Sequence, residues 1–96
     1  MIVHIVMIKF KEQNKATNMQ RVKLELQNLK NLIDELKFME VGINFDDSQR
    51  AFDMSLYSKF DTKEDLNIYA VHKEHLKVVE FIKSTALETK VVDYEL

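Results

Sequence analysis

Residues 2–11 read IVHIVMIKFK, and this segment sets the centre of the predicted structure. It is rich in β-branched and aromatic residues, which favour a strand. Side chains alternate between the two faces of a strand, and here both faces are apolar. One face carries Val3, Ile5 and Met7, and the other carries Ile2, His4, Val6, Ile8 and Phe10. A strand that is apolar on both sides is covered on both sides, so we predict that it lies centrally in a sheet.

A helix is predicted after the polar residues 12–16. Thr17 and Gln20 have the spacing of a capping box, which predicts that the helix starts there. Apolar residues then recur at intervals of four, three, four and three, which makes one apolar stripe along a helix. The stripe consists of Val22, Leu26, Leu29, Ile33 and Leu36.

Two further strands are predicted around a polar turn. Residues 38–45 alternate, with Met39, Val41, Ile43 and Phe45 on one face. The DDSQR segment at residues 46–50 has turn chemistry and predicts an antiparallel return. The returning strand, residues 52–60, carries Phe52, Met54, Leu56, Ser58 and Phe60 on one face.

A second helical region is predicted to begin near residue 62 and to be broken near residue 72. Thr62 and Asp65 again have capping-box spacing. Leu66, Tyr69 and Ala70 share a face, and the polar residues 72–75 interrupt the apolar pattern before helix resumes. Residues 90–96 alternate as a last strand, which completes the order β-α-β-β-α-β.

This order predicts an α+β fold with a four-stranded antiparallel sheet and both helices on one face. The other face of the sheet is then open, although it carries Val3, Ile5 and Met7. An exposed apolar strip on a small domain is typical of an interaction surface, so we predict a homodimer through the open sheet face. The alternative is an open-faced monomer in which Lys9, Tyr57 and Lys59 screen the strip.

Composition limits the classes of function. The 96 residues fit a single domain, residues 1–96. Fourteen basic and sixteen acidic residues give a net charge of −2, which argues against nucleic-acid binding. The absence of cysteine excludes disulfides, thiol catalysis and cysteine-ligated metals, and a single glycine disfavours nucleotide-binding motifs. The longest apolar run, residues 5–8, is too short to span a membrane, and no signal-peptide pattern opens the chain. We therefore expect a cytoplasmic location.

Several segments together resemble one known family, the stress-responsive A/B barrel domain, or Dabb. The resemblance begins with IVHIV at residues 2–6 and KFK at residues 9–11, and continues through EVG at residues 40–42. It then includes FDMSL at residues 52–56 with Phe60, and Tyr69 with His72 and His75. It closes with VVDYE at residues 91–95 and so covers nearly the whole chain in order.

The resemblance implies a ferredoxin-like subunit that pairs into a dimeric α+β barrel, and it implies little about activity. A plant branch of the family consists of polyketide cyclases, which use a tyrosine and a histidine in aldol chemistry. By position those roles fall on Tyr69 and His75, and that of a further pocket histidine falls on His4. The family's usual His-Pro-x-His stretch is His72-Lys73-Glu74-His75 here, without the proline.

Each candidate residue also has a structural explanation. His4 is either a hydrogen-bonded core histidine or a pocket group that orients a substrate oxygen. Tyr69 and His75 are either a core-edge residue and a surface residue, or an oxyanion donor and a general base brought together by the break. That chemistry needs no cofactor and no metal. A metal site of His4, His72 and His75 is an alternative, but the sequence lacks the HExxH pattern.

The sequence is therefore compatible with three functions. The first is a dimer that binds a small apolar or aromatic molecule between helices and sheet. Its predicted pocket is lined by Leu56, Ser58, Leu66, Val78 and Val79 together with His4, Tyr69 and His75. The second is a cofactor-independent cyclase-like or lyase-like enzyme that uses His75 and Tyr69. The third is a structural scaffold with a filled core and no pocket.

Overall fold

The computed structural model describes residues 1–96, which form four strands and three helices. The strands are β1 (Ile2–Phe10), β2 (Phe38–Ile43), β3 (Met54–Phe60) and β4 (Ala86–Glu95). The helices are α1 (Lys15–Leu32), α2 (Lys63–Val71) and α3 (Lys73–Thr85). The predicted order of elements is confirmed, and the break in the second helical region separates α2 from α3.

All strands pair antiparallel in the order β2-β3-β1-β4, so β1 is central as predicted. His4 lies between Ser58 of β3 and Asp93 of β4 in the register. This pairing places the carboxylate of Asp93 on the same face of the sheet as the His4 ring, the face covered by helices.

The core lies between that face and the helices. It is a single cluster of fifteen buried residues to which the sheet, α1, α2 and α3 all contribute. Val22, Leu26 and Leu29 supply the predicted apolar stripe of α1. The stripe continues to Ile33 and Leu36, which are buried although the helix ends at Leu32. The predicted burial of the stripe is therefore confirmed, while the helix ends before the last two residues of the stripe.

The predicted start of α1 at Thr17 was wrong. The helix begins at Lys15, and Asn14 occupies the cap position in the left-handed region, at φ 55°, without a side-chain cap hydrogen bond. Asparagine tolerates this conformation better than most residues, so the chain can enter the helix earlier than the capping-box spacing indicated. The corresponding prediction for α2 is confirmed, since the Thr62 hydroxyl accepts a hydrogen bond from the Asp65 amide at 3.1 Å.

Three strand boundaries differ from those predicted. β2 ends at Ile43, and Phe45, predicted to share its inner face, is fully exposed in the connecting loop. β3 begins at Met54 rather than at residue 52, and the Asp53 carboxylate just before it accepts a hydrogen bond from the Phe10 amide. β4 begins at Ala86, directly after α3, since pairing to β1 extends across a bulge between Lys9 and Phe10.

The open face of the sheet differs from prediction at one position. Val3 is fully buried within the single chain, because Lys59 and Tyr94 flank it on the same face in the two neighbouring strands. The apolar surface is continued instead by Met7, which is 41% exposed, and Val92, which is 58% exposed. None of the three helices has the length and apolar character needed to cross a membrane.

Candidate functional site

A cavity of about 260 Å³ lies between the sheet and the helices. Its sheet side is lined by His4, Val6 and Ile8 of β1, Leu56 of β3, and Thr89 and Val91 of β4. Its helix side is lined by Leu26 of α1, Tyr69 of α2, and His75, Val79, Ile82 and Lys83 of α3. Eight of these twelve residues are hydrophobic, so the walls suit an apolar molecule and the few polar groups can orient it.

Tyr69 is the most deeply buried polar residue of this cavity, with 1% of its surface exposed. Its ring packs 5.0 Å from the Phe60 ring and 6.4 Å from the His4 ring, measured between centroids. Its hydroxyl is buried and has no hydrogen-bond partner in the protein. Burial raises the pKa of Tyr69 above its ordinary value, so the hydroxyl stays neutral and remains able to donate.

His75 lies beside Tyr69, with 4.2 Å between the ring centroids. Its Nδ1 atom is 3.0 Å from the carbonyl oxygen of Ala70. A carbonyl can only accept, so Nδ1 carries the proton of the neutral ring and Nε2 keeps a free lone pair. Burial is the main cause that lowers the pKa of His75, which keeps the imidazole neutral near pH 7.

His4 forms a hydrogen bond with a residue that the sequence reasoning missed. Its Nδ1 atom contacts the Asp93 carboxylate across the β1–β4 pairing. The carboxylate accepts from Nδ1, which orients the ring and leaves Nε2 as its free nitrogen. Asp93 alternates with apolar residues in β4, but only the strand register shows which residue of β1 it faces.

The interruption of the helix at His72 explains why Tyr69 and His75 lie side by side. On one continuous helix, residues six apart are about 240° apart around the axis and face different ways. His72 has φ −64° and ψ 136°, which ends α2 and starts α3 in a new direction. The His72 ring accepts a hydrogen bond from the Glu74 amide at 3.1 Å and so caps α3. A histidine therefore ends one helix and caps the next without the family's usual proline.

Five of the eight residues predicted from the sequence line the cavity: His4, Leu56, Tyr69, His75 and Val79. Ser58, Leu66 and Val78 do not. Ser58 is buried, and its hydroxyl donates to the His4 carbonyl at 3.0 Å. Leu66 lines a separate surface cavity with Ile2 and Lys63, and Val78 packs in the core.

The cavity also contains residues that were not singled out from the sequence. Val6 and Ile8 follow His4 on the same strand face, so their alternation was a usable signal. The β1–β4 register brings Thr89 and Val91 to the cavity, and the direction of α3 brings Lys83 there. Neither the register nor the helix direction can be obtained from local spacing. No three histidine, aspartate or glutamate side chains converge as a metal site would require.

Comparison with known proteins gives a consistent result along the whole chain. The model of the stress responsive A/B barrel domain matches residues 2–96. A stress-response A/B barrel domain-containing protein of Arabidopsis thaliana is 33% identical over 78 residues. That match covers 81% of this chain and spans 30% of the length of the Arabidopsis protein.

Solved structures share the fold. A dimeric protein of unknown function with a ferredoxin-like fold from Bacteroides fragilis is 29% identical, with a TM-score of 0.89. The match covers 99% of this chain and 95% of that one. A hydroxynitrile lyase from Passiflora edulis also has a TM-score of 0.89 at 19% identity, over 99% of this chain and 92% of the lyase. With the family match over residues 2–96, these likenesses show that the chain belongs to the stress-responsive A/B barrel domain family.

Proposed function

We propose that this protein binds a small apolar or aromatic molecule bearing one oxygen acceptor in the cavity between helices and sheet. The observation that carries the proposal is the Tyr69 hydroxyl, which is buried against an apolar cavity without a partner. An unsatisfied buried donor costs about 1–3 kcal/mol, and a ligand oxygen would recover part of that cost. A filled-core scaffold would offer no cavity at this position.

The test compares two probes of nearly the same shape, acetophenone and ethylbenzene. Only acetophenone has an oxygen that can accept a hydrogen bond. We expect the protein to bind acetophenone about two- to tenfold more tightly in calorimetric titrations, the range of one neutral hydrogen bond. Tyr69→Phe removes this preference, while Tyr57→Phe, on the open face of the sheet, preserves it. Failure of the wild-type protein to bind either probe would overturn the proposal.

A second candidate function is acid–base catalysis on a bound carbonyl compound. The specific observation in its favour is the arrangement of His75 and Tyr69. The neutral His75 ring has Nε2 free to accept a proton from the carbon next to the carbonyl. Tyr69 is 4.2 Å away between centroids and can donate to the enolate oxygen that forms. The electron pair of the broken C–H bond forms the C=C bond of the enolate while the carbonyl π pair moves to the oxygen, and the reverse movement accompanies the return of a proton from His75 to the carbon.

Deuterium exchange at the acetophenone methyl group in D₂O tests this step by NMR. We expect the protein to accelerate the exchange, because the proton that His75 takes from carbon exchanges with D₂O while the enolate is bound, so that His75 returns a deuteron to the carbon. His75→Gln abolishes the acceleration, and Tyr69→Phe reduces it about 10²-fold or more if the hydroxyl stabilises the oxyanion. Tyr57→Phe, on the open face of the sheet, serves as the control outside the cavity. If acetophenone binds and its exchange rate does not exceed the rate in solvent, the binding proposal stands and the catalytic proposal is overturned.

We further propose that the protein acts as a homodimer paired through the open sheet face. Ile5 and Val92 are direct neighbours on this face, and Met7 and Tyr94 extend the same surface. Exposed apolar residues on both central and edge strands favour burial against a second copy. The Bacteroides relative with 29% identity, which is dimeric, supports the proposal.

A further inference from the structure

Lys83 is the one lysine among the cavity residues, and it lies at the solvent side of the cavity. Tyr69 is almost completely buried, whereas Lys83 is exposed, so the two residues mark the inner and outer parts of the same space. A molecule that fills the cavity from Tyr69 outward therefore approaches solvent on the side of Lys83. Thr89 of β4 adds a hydroxyl to the lining.

The positive charge of Lys83 is uncompensated. No carboxylate lies within ion-pair distance of its ammonium. Several surface lysines share this property, but Lys83 is the one that lines the cavity. The other ionisable groups of the cavity do not supply a counter-charge to it. His4 is paired with Asp93, and burial keeps His75 neutral. The cavity thus combines apolar walls with one unpaired cation at its open side.

We propose that the natural ligand of this cavity is an apolar carboxylic acid whose carboxylate contacts Lys83 and whose hydrocarbon body extends toward Tyr69. This inference rests on the proposed binding function and adds the chemical class of the ligand. A carboxylate at the solvent side keeps most of its hydration while it pairs with the ammonium, and the apolar body leaves water. Lys83 also suits the last turn of α3 through the helix dipole. The helix dipole accounts for a lysine in this turn, but it does not account for the position of that lysine at the cavity.

The test uses octanoate and octan-1-ol as probes in calorimetric titrations of the intact protein. Lys83→Met should weaken octanoate binding about three- to fivefold, the upper range for a solvent-exposed ion pair, and leave octanol binding unchanged. Lys83→Arg should retain octanoate binding. Lys30→Met is the matched control, because Lys30 occupies the last turn of α1 and does not line this cavity. Octanoate affinity of the wild type should also fall as NaCl rises from about 0.05 to about 0.5 M.

Each outcome bears separately on the two proposals. If Lys83→Met leaves octanoate affinity unchanged, the carboxylate lies elsewhere and the inference is overturned. A loss confined to Tyr69→Phe would then place the carboxylate at the inner end. If octanol binds and octanoate does not, the cavity still binds apolar molecules but the acid class is wrong. If neither probe binds, both proposals fail. Circular dichroism melting of each variant shows that any loss of affinity does not arise from unfolding.

Discussion

The ring and the hydroxyl of Tyr69 have opposite effects on the stability of the protein. Its ring contributes to the core beside Phe60 and His75, which stabilises the protein. Its hydroxyl is buried without a partner, which costs free energy. The hydroxyl therefore lowers the stability of the free protein and favours binding of a ligand. Replacing Tyr69 by phenylalanine removes the hydroxyl and keeps the ring.

We expect Tyr69→Phe to leave the free energy of unfolding of the ligand-free protein unchanged or to raise it by up to about 1 kcal/mol, since it removes an unsatisfied buried group. Urea unfolding followed by circular dichroism measures this change. Tyr57→Phe, on the open sheet face, is the control for loss of a hydroxyl. Destabilisation by more than about 1 kcal/mol would show that the Tyr69 hydroxyl already has a stabilising partner.

His75 makes stability depend on pH. Its pKa is lowered in the folded protein, so in mild acid the unfolded chain binds a proton that the folded chain does not. The stability that His75 contributes is present above its unfolded pKa of about 6.5 and is lost as pH falls through the lowered folded pKa. Wild-type protein should therefore lose more melting temperature between about pH 7.5 and about pH 5.5 than His75→Gln does.

The other two histidines are present in the wild type and in the variant alike. Differential scanning calorimetry at the two pH values provides the melting temperatures. An equal loss in wild type and variant would mean that His75 does not have a lowered pKa in the folded state.

At the scale of elements, the junction between α2 and α3 controls the site. The two helices are joined by His72 alone, which is the C-cap of α2 and the N-cap of α3. Because Tyr69 lies before this residue and His75 after it, the angle at His72 sets how the two side chains approach. The cap hydrogen bond from the Glu74 amide to the His72 ring holds the start of α3.

We expect His72→Ala to lower the free energy of unfolding by about 1 kcal/mol, the usual cost of losing an N-cap acceptor. His72→Asp should preserve stability, since a carboxylate also accepts from the first amides of a helix and suits its dipole. Urea unfolding measures both variants. Equal destabilisation by alanine and aspartate would contradict a capping role for residue 72.

At the scale of the whole molecule, the sheet has one face covered by helices and one without a partner in the single chain. Val3 is already covered on the open face, so the apolar surface that remains lies toward Met7 and across to β4. β4 is an edge strand, and nearly all of its residues are exposed. A second copy would cover this surface.

Val92→Lys places a charge within that surface and should convert a dimer into a monomer without unfolding the chain, because Val92 is 58% exposed in the protomer. Light scattering after gel filtration measures the mass. Leu24→Lys, on the outside of α1 at 64% exposure, is the control and should leave the dimer intact. A wild-type protein with the mass of a single chain at micromolar concentration would rule out the homodimer.

Much of the fold followed from local patterns. The central position of β1 followed from its two apolar faces, and the antiparallel β2–β3 pair followed from its polar turn. The break near residue 72 followed from the polar interruption of an apolar stripe. The placement of His4, Tyr69 and His75 on one cavity was expected partly from family resemblance, which supplied positions that local periodicity does not single out.

The amino-acid sequence thus determined the order of the strands and helices, the apolar stripes that form the core, and the family to which the chain belongs. These properties depend on periodicity and on residues close together in the chain. Only the tertiary structure decided that Asp93 pairs with His4, that Lys83 and Thr89 reach the cavity, and that Val3 is covered. Each of these depends on the register of strands or the direction of a helix, which packing between distant segments selects.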